Sequence, residues 1–302
     1  MKRLAAVFLG ALVAAVAMAQ SADMKPFDLN MDRVTVNKFG GKFGQGQTFF
    51  VPSVNLVVSV HGSVWAQKGG AQAHAKFHVA GLDKELMRGL AMKAQQDFVA
   101  KMRAAGYKVL TYDDLKDDPA VAGKELDKDD ETWGFPIRRS NVPYASILVA
   151  PTAAQQFNNP VQGPAWLWKG LAKDRDLVVL VPEITYTVPQ MYAQTSSGYA
   201  VDRAGVAQNP AMKLVGAAIW SVNPKGGTPN ILVQEHGMRL AAESAGTITQ
   251  ISEDHTTFSS EWKRASGDYV MTIDPKLFSD GVLRVAFAIN SMVVAEVQKA
   301  NK

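Results

Sequence analysis

His74 and His78 stand four residues apart. Imidazoles at that spacing can share a face of a helix or strand, and they are common ligands of transition metals. The other imidazoles are His61, His236 beside Glu235, and His255 beside Glu253 and Asp254. There is no His-Glu-x-x-His pattern, and no near carboxylate completes a ligand set. The sequence therefore predicts no metal and no other cofactor, with His74 and His78 as the only candidate pair. Asp127, Asp129 and Glu131 alternate as calcium ligands sometimes do. They lack the central glycine and terminal glutamate of an EF-hand and read as a solvated acidic loop.

Catalytic signatures are missing in the same way. The run Phe39-Gly40-Gly41-Lys42-Phe43-Gly44-Gln45-Gly46 is rich in glycine but leads into the strand-like Thr48-Phe49-Phe50-Val51. A phosphate cradle needs a helix N-terminus there. No Gly-x-Ser-x-Gly elbow occurs. The expectation is a protein that does not act as an enzyme. A hydrolase assembled from distant residues is the alternative, because such a site leaves no local trace.

Binding is the chemistry left. Trp133, Phe135, Trp166 and Trp168 cluster around proline and glycine, where exposed rings could stack on a sugar or a partner and buried rings would plug the end of a sheet. Residues 192–208, rich in Ser, Gly, Ala and Gln, read as the tip of a long hairpin carrying Tyr192 and Tyr199. Tyr192, Tyr199, Trp133, Trp166 and Trp168 are the candidate partner-binding residues.

The address comes from the first nineteen residues. Lys2 and Arg3 precede the apolar run Leu4 to Val16, and Ala17-Met18-Ala19 supplies the small residues a signal peptidase needs. The run is shorter than the ~20 residues of a membrane span. The expectation is cleavage before Gln20 and a periplasmic or secreted protein, one α+β domain over 20–302 with a candidate subdivision near 117–140. The chain has no cysteine, which excludes disulfides, thiolate metal sites and cysteine nucleophiles. Losing Lys2 and Arg3 takes the formal charge from +4 to +2. No basic tract marks nucleic-acid binding. No second apolar run reaches spanning length, so no membrane helix is expected.

The elements that must position these residues follow from periodicity. Leu86, Leu90, Ala94, Phe98 and Met102 repeat at four-residue spacing between a capping Asp83 and a terminating Gly106, predicting an amphipathic helix over 82–105. A strand over 107–112 follows, then a short helix from Asp113 that Pro119 ends. Residues 117–133 read as an exposed loop or mobile flap. Strands are expected over 49–60, over 63–79 across a Lys68-Gly69-Gly70 turn, and over 144–150, 177–188, 212–222 and 231–242. Asp274 and Pro275 open a C-terminal helix with Phe278, Val282, Val285, Ile289, Val293 and Val297 on one face; its β-branched content leaves a strand at 282–287 as the alternative. This order predicts an α+β fold with a mixed or largely antiparallel sheet and packed amphipathic helices.

The stretch Gln96-Asp97-Phe98-Val99-Ala100-Lys101-Met102-Arg103-Ala104-Ala105-Gly106-Tyr107-Lys108-Val109-Leu110 resembles the helix-then-strand core of CsgG-like (curli secretion channel) and TolB N-terminal-type envelope proteins. Leu214-Val215-Gly216-Ala217-Ala218-Ile219-Trp220 is similar to a later strand of that fold. The likeness covers about a third of the chain, and the chain departs from the channel pattern in having no cysteine for lipid attachment. It implies a non-enzymatic envelope role. The partners expected are another envelope protein or a second copy of the chain, with membrane contact only through an oligomeric hairpin. A pore made of such hairpins, drawn from 186–222, is a further alternative.

Overall fold

Asp83 starts the main helix as its side chain requires, accepting a hydrogen bond from the Leu86 amide at 2.8 Å, and Gly106 leaves it at φ +92°, a left-handed conformation open to glycine. The computed structural model describes residues 34–69, 71–138, 145–157, 163–197, 202–235, 244–257 and 263–302. The signal segment lies outside them. In chain order, strands β1 (Val34–Phe39), β2 (Thr48–Val51), β3 (Asn55–Lys68) and β4 (Ala71–Ala80) precede helix α1 (Lys84–Ala104). β5 (Lys108–Thr111), the short helices α2 (Tyr112–Leu115) and α3 (Pro119–Ala122), β6 (Ile137–Arg138) and β7 (Ala145–Val149) follow. After 3-10 turns at Ala153–Gln155 and Pro164–Trp168 come α4 (Lys169–Asp174), β8 (Val178–Thr187), β9 (Gln190–Ser197) and β10 (Asp202–Asn209). The chain closes with β11 (Lys213–Val222), β12 (Asn230–Glu235), β13 (Gly246–Thr257), β14 (Lys263–Ile273) and α5 (Pro275–Ala300).

The fold is α+β around a large mixed sheet, as expected. Its main path runs β1-β12-β11-β8-β3-β4-β14-β13. β8 lies parallel to β2 and β3 but antiparallel to β11, and β4 lies parallel to β14. β2 and β3 lie in line along one edge of β8, interrupted at Pro52, Ser53 and Val54. Both sheet faces are covered at the centre. Phe49, Val51, Val178 and Leu180 join the core beneath α1 and α5, while Phe50, Val179 and Val181 join the one under α2, α3 and α4. Strands buried on both faces read as continuous apolar runs, which is how Phe49–Val51 and Leu177–Val181 look in the sequence.

α5 is a single helix, so the strand alternative at 282–287 is not formed. By length and composition it is apolar enough to cross a membrane, contrary to the sequence expectation; here half of its apolar window is buried inside the protein. The buried stripe includes Phe278, Val282, Ile289 and Val293, set against α1 and the sheet.

The helices also meet through polar groups. Asn290 donates to the Ala94 carbonyl and to Asp97, both at 2.9 Å, and Lys101 donates to Asp97 at 2.6 Å and to the Phe287 carbonyl at 2.9 Å. Lys101, which periodicity alone places on the solvent side of the helix, therefore ties α1 to α5. Lys101→Ala is expected to cost about 1 kcal/mol, below the ~1.5–3 kcal/mol of a buried hydrogen bond to a charged group because the side chain is 30% exposed. A urea melt indistinguishable from wild type would show the link to be idle.

The acidic loop is likewise tied down. Lys84 donates to Asp129 at 2.6 Å, Gln156 donates to its other oxygen at 2.9 Å, and Leu126 forms a β-bridge with Phe157. Burial alone would raise the Asp129 pKa. Hydrogen bonds from Lys84 and Gln156, with the nearby charges of Lys84 and Arg88, outweigh it and hold the carboxyl below its ordinary 3.8. A carboxylate with a depressed folded-state pKa stabilises above its unfolded value and ceases to do so as pH falls through the folded one. The loop is expected to stay protected from hydrogen exchange above about pH 4 and to open below it. Asp129→Asn should remove that acid transition; if the transition persists unchanged, Asp129 is not its cause.

Three departures concern strands. β1, unmarked by periodicity, pairs along its length with β12. β13 and β14, unmarked by periodicity, form an eleven-pair antiparallel ladder from Gly246↔Ile273 to Thr257↔Lys263. The segment read as the tip of a long hairpin at 192–208 instead supplies most of that hairpin's two strands, β9 and β10, in register from Asn209↔Gln190 to Asp202↔Ser197.

Candidate functional site

One face of β3 carries Asn55, Val57, Ser59, His61, Ser63, Trp65 and Gln67, and the other carries Leu56, Val58, Val60, Gly62, Val64 and Ala66. Strand alternation separates them. The second set faces the helix-covered core at Leu56, Val58 and Val60. The first forms a polar strip down the opposite face of the sheet, continued by its register neighbours. Glu183 pairs with Asn55, Ser146 with Ser59, His78 with His61, Lys76 with Ser63, His74 with Trp65 and Gln72 with Gln67.

The inner end of this strip is buried. Asn55, Ser59, Ser146 and Glu183 are all under a tenth exposed. Arg138 forms an ion pair with one oxygen of Glu183, and the Trp220 indole donates to the other at 2.6 Å. Gly163, at φ +79°, sits on the Trp220 ring: a Cβ there would come within 2.4 Å of the indole, so only glycine fits. Both oxygens of Glu183 are engaged, so the carboxylate serves as an anchor for Arg138 and Trp220. Asn55 is different. Its amide nitrogen and oxygen are fully buried and have no hydrogen-bond partner, and the Ser53 hydroxyl beside it has none either. Buried polar groups in that state are rare and mark a strained place or one that binds water or a ligand.

The outer end opens to solvent. His61, His74 and His78 are half-buried and Trp65 is 57% exposed. The opposite, apolar face of this hairpin is covered: Ala66, Ala73, Ala75, Phe77 and Val79 are buried, and β9 and β10 are the elements that pack against β3 and β4. β9 and β10 form a separate two-stranded sheet, so packing and not ladder bonding holds that hairpin in place.

The structure scatters the expected aromatic site. Trp168 is fully buried, edge-on to Phe50 and Phe157, and cannot reach a partner. Trp166 is half-buried with the Lys169 ammonium over its ring at 4.3 Å. Trp133 is half-buried against the helix-side core. Tyr192 lies on β9, and Tyr199 lies outside the described residues. His74 and His78 share β4, where residues four apart stand ~13 Å from each other, too far to hold one metal ion. Among the described residues no three His, Asp or Glu side chains converge on a metal site. The strip itself escaped sequence reading because its buried members come from three separated segments; only the odd-numbered polar run Ser59, His61, Ser63 in an otherwise valine-rich strand hints at it.

No family model, curated protein or solved structure matches this chain. Its function must therefore be argued from these surfaces.

Proposed function

We propose that the chain is an exported cell-envelope protein that works by binding and assembly and not by catalysis. The observation that carries this reading is the β9–β10 hairpin. It pairs with no other strand among the described residues, leaving backbone donors and acceptors along its edges for another chain. The polar strip is consistent with this reading: the one buried carboxylate in it is held by Arg138 and Trp220 and acts as an anchor. The signal-like start supplies the address.

The outer β3–β4 hairpin favours a second reading, a pore component. Gly62, Val64, Ala66, Ala73, Ala75 and Phe77 alternate with Ser63, Gln67, Gln72, His74 and Lys76, the dyad period of a membrane barrel strand. β9 and β10, at 8 residues each, are shorter than the ~9–11 such strands need.

Two experiments test the address and the contact. N-terminal sequencing of the protein from envelope fractions is expected to begin at Gln20; a retained Met1 in the cytoplasm would overturn export. Because the chain has no cysteine, Gln194→Cys places a unique thiol on β9. Cross-linking from that thiol in intact envelopes is expected to give a discrete adduct, and its absence at every position along β9 and β10 would remove the case for assembly there.

A further inference from the structure

We propose that His61 and His78 form a two-imidazole binding site for a borderline divalent transition-metal ion, copper(II) first. The two residues are direct partners in the antiparallel β3–β4 ladder. Side chains directly opposite in such a ladder share one face, with Cβ atoms ~4.5–5.5 Å apart. That separation lets two imidazoles converge on one ion at metal–nitrogen distances of about 2.0–2.1 Å. His74, on the same strand as His78, is too distant to join them, so the pair that sequence spacing singles out is replaced by one that the register creates.

The position is a junction in the sheet. His61 pairs with Ala145 of β7 as well as with His78 of β4, and the β7 register shifts between Ser59 and His61. β3 thus changes partners at this residue. Both imidazoles are half-buried there, between the closed inner end of the strip and the exposed Trp65. Partial burial limits the rotamer freedom each ring loses on binding. Imidazole suits copper, nickel and zinc, and the order of stability for a nitrogen site favours copper. The chain has no cysteine to compete with softer chemistry. Lys76 lies on the same face two residues from His78 and is exposed, so its ammonium can swing into solvent while still opposing a high-charge ion. Two protein ligands leave the remaining coordination positions to water or to a second molecule. Such a site takes up and releases an ion; a structural zinc site would use four protein ligands.

The test uses the mature chain titrated with copper(II) and with zinc(II), read by tryptophan fluorescence, calorimetry and, for copper, electron paramagnetic resonance. One equivalent of copper is expected to bind more tightly than zinc and to show two imidazole nitrogens in its hyperfine pattern. His61→Gln and His78→Gln are each expected to weaken copper by at least about tenfold, since losing even a group that only supports a metal ligand costs ~10–100-fold. His74→Gln is expected to leave the affinity unchanged, and Trp65→Phe to remove most of the copper-induced quenching. Copper bound equally well by the His61 and His78 variants, or lost only with His74, would overturn the proposal. So would a wild-type spectrum showing one imidazole nitrogen or none, a result that stands even if a variant fails to fold.

Discussion

Phe98→Ala is expected to destabilise the protein by about 3–5 kcal/mol, the range for deleting a buried aromatic ring. Phe98 is fully buried in the middle of α1, at the level where Asn290 of α5 bonds the Ala94 carbonyl. Helices α1 and α5 lie side by side there over the apolar face of β3 and β8. Removing the ring opens a cavity that two helices tied by Asn290, Asp97 and Lys101 cannot close by shifting. The loss should appear as a lower urea midpoint with an unchanged slope. For a chain of this size it should lower the melting temperature by roughly 2–4 °C per kcal/mol. Lys93→Ala, exposed on the same helix, is the control and should stay within about 0.5 kcal/mol. Equal effects at the two positions would mean that the stripe does not face a core.

Glu183→Ala should cost about 3 kcal/mol, the lower end for removing one partner of a buried ion pair. The carboxylate side chain is 8% exposed and that of Arg138 is 16% exposed. Its removal takes the ion-pair partner Glu183 from the Arg138 guanidinium and takes away the Trp220 indole's acceptor. Arg138→Ala should cost less, because Trp220 still donates to Glu183 and the site opens toward solvent on the arginine side. Glu183→Gln keeps an acceptor for the indole and should fall between them. A double-mutant cycle on Glu183 and Arg138 is expected to show coupling of about 1 kcal/mol or more. Additive losses would show that the two groups are neighbours without being partners.

Local signals in this sequence were readable where one element carries its own punctuation. Helix α1 announces itself through Asp83, the Leu86-to-Met102 stripe and Gly106. The β3–β4 hairpin does so through Gly69 and the alternation on either side. Where packing decides, local reading failed. β9 and β10 contain Gln, Ser, Ala and Gly, residues with little strand preference of their own, and are placed against an alanine-lined sheet face that admits them closely. Val34 to Phe39 is half polar and becomes a strand because β12 offers it an edge. The strip was hidden for the same reason. Asn55, Arg138, Ser146, Glu183 and Trp220 meet only after five strands have chosen neighbours, and no spacing along the chain encodes that. Trp168 misled because aromatic clustering in sequence looks alike whether the rings end in a core or on a surface.

The central claim is that this chain acts by assembling through the β9–β10 hairpin. Sedimentation velocity of the mature protein over a concentration series, in buffer and in mild detergent, tests it most directly. Wild type is expected to form a discrete species heavier than the monomer. A variant with Ala193 to Gln208 cut to a tight glycine turn is expected to remain monomeric with native far-ultraviolet circular dichroism. A wild type that stays monomeric under every condition, or a folded trimmed variant that associates as wild type does, would contradict the account.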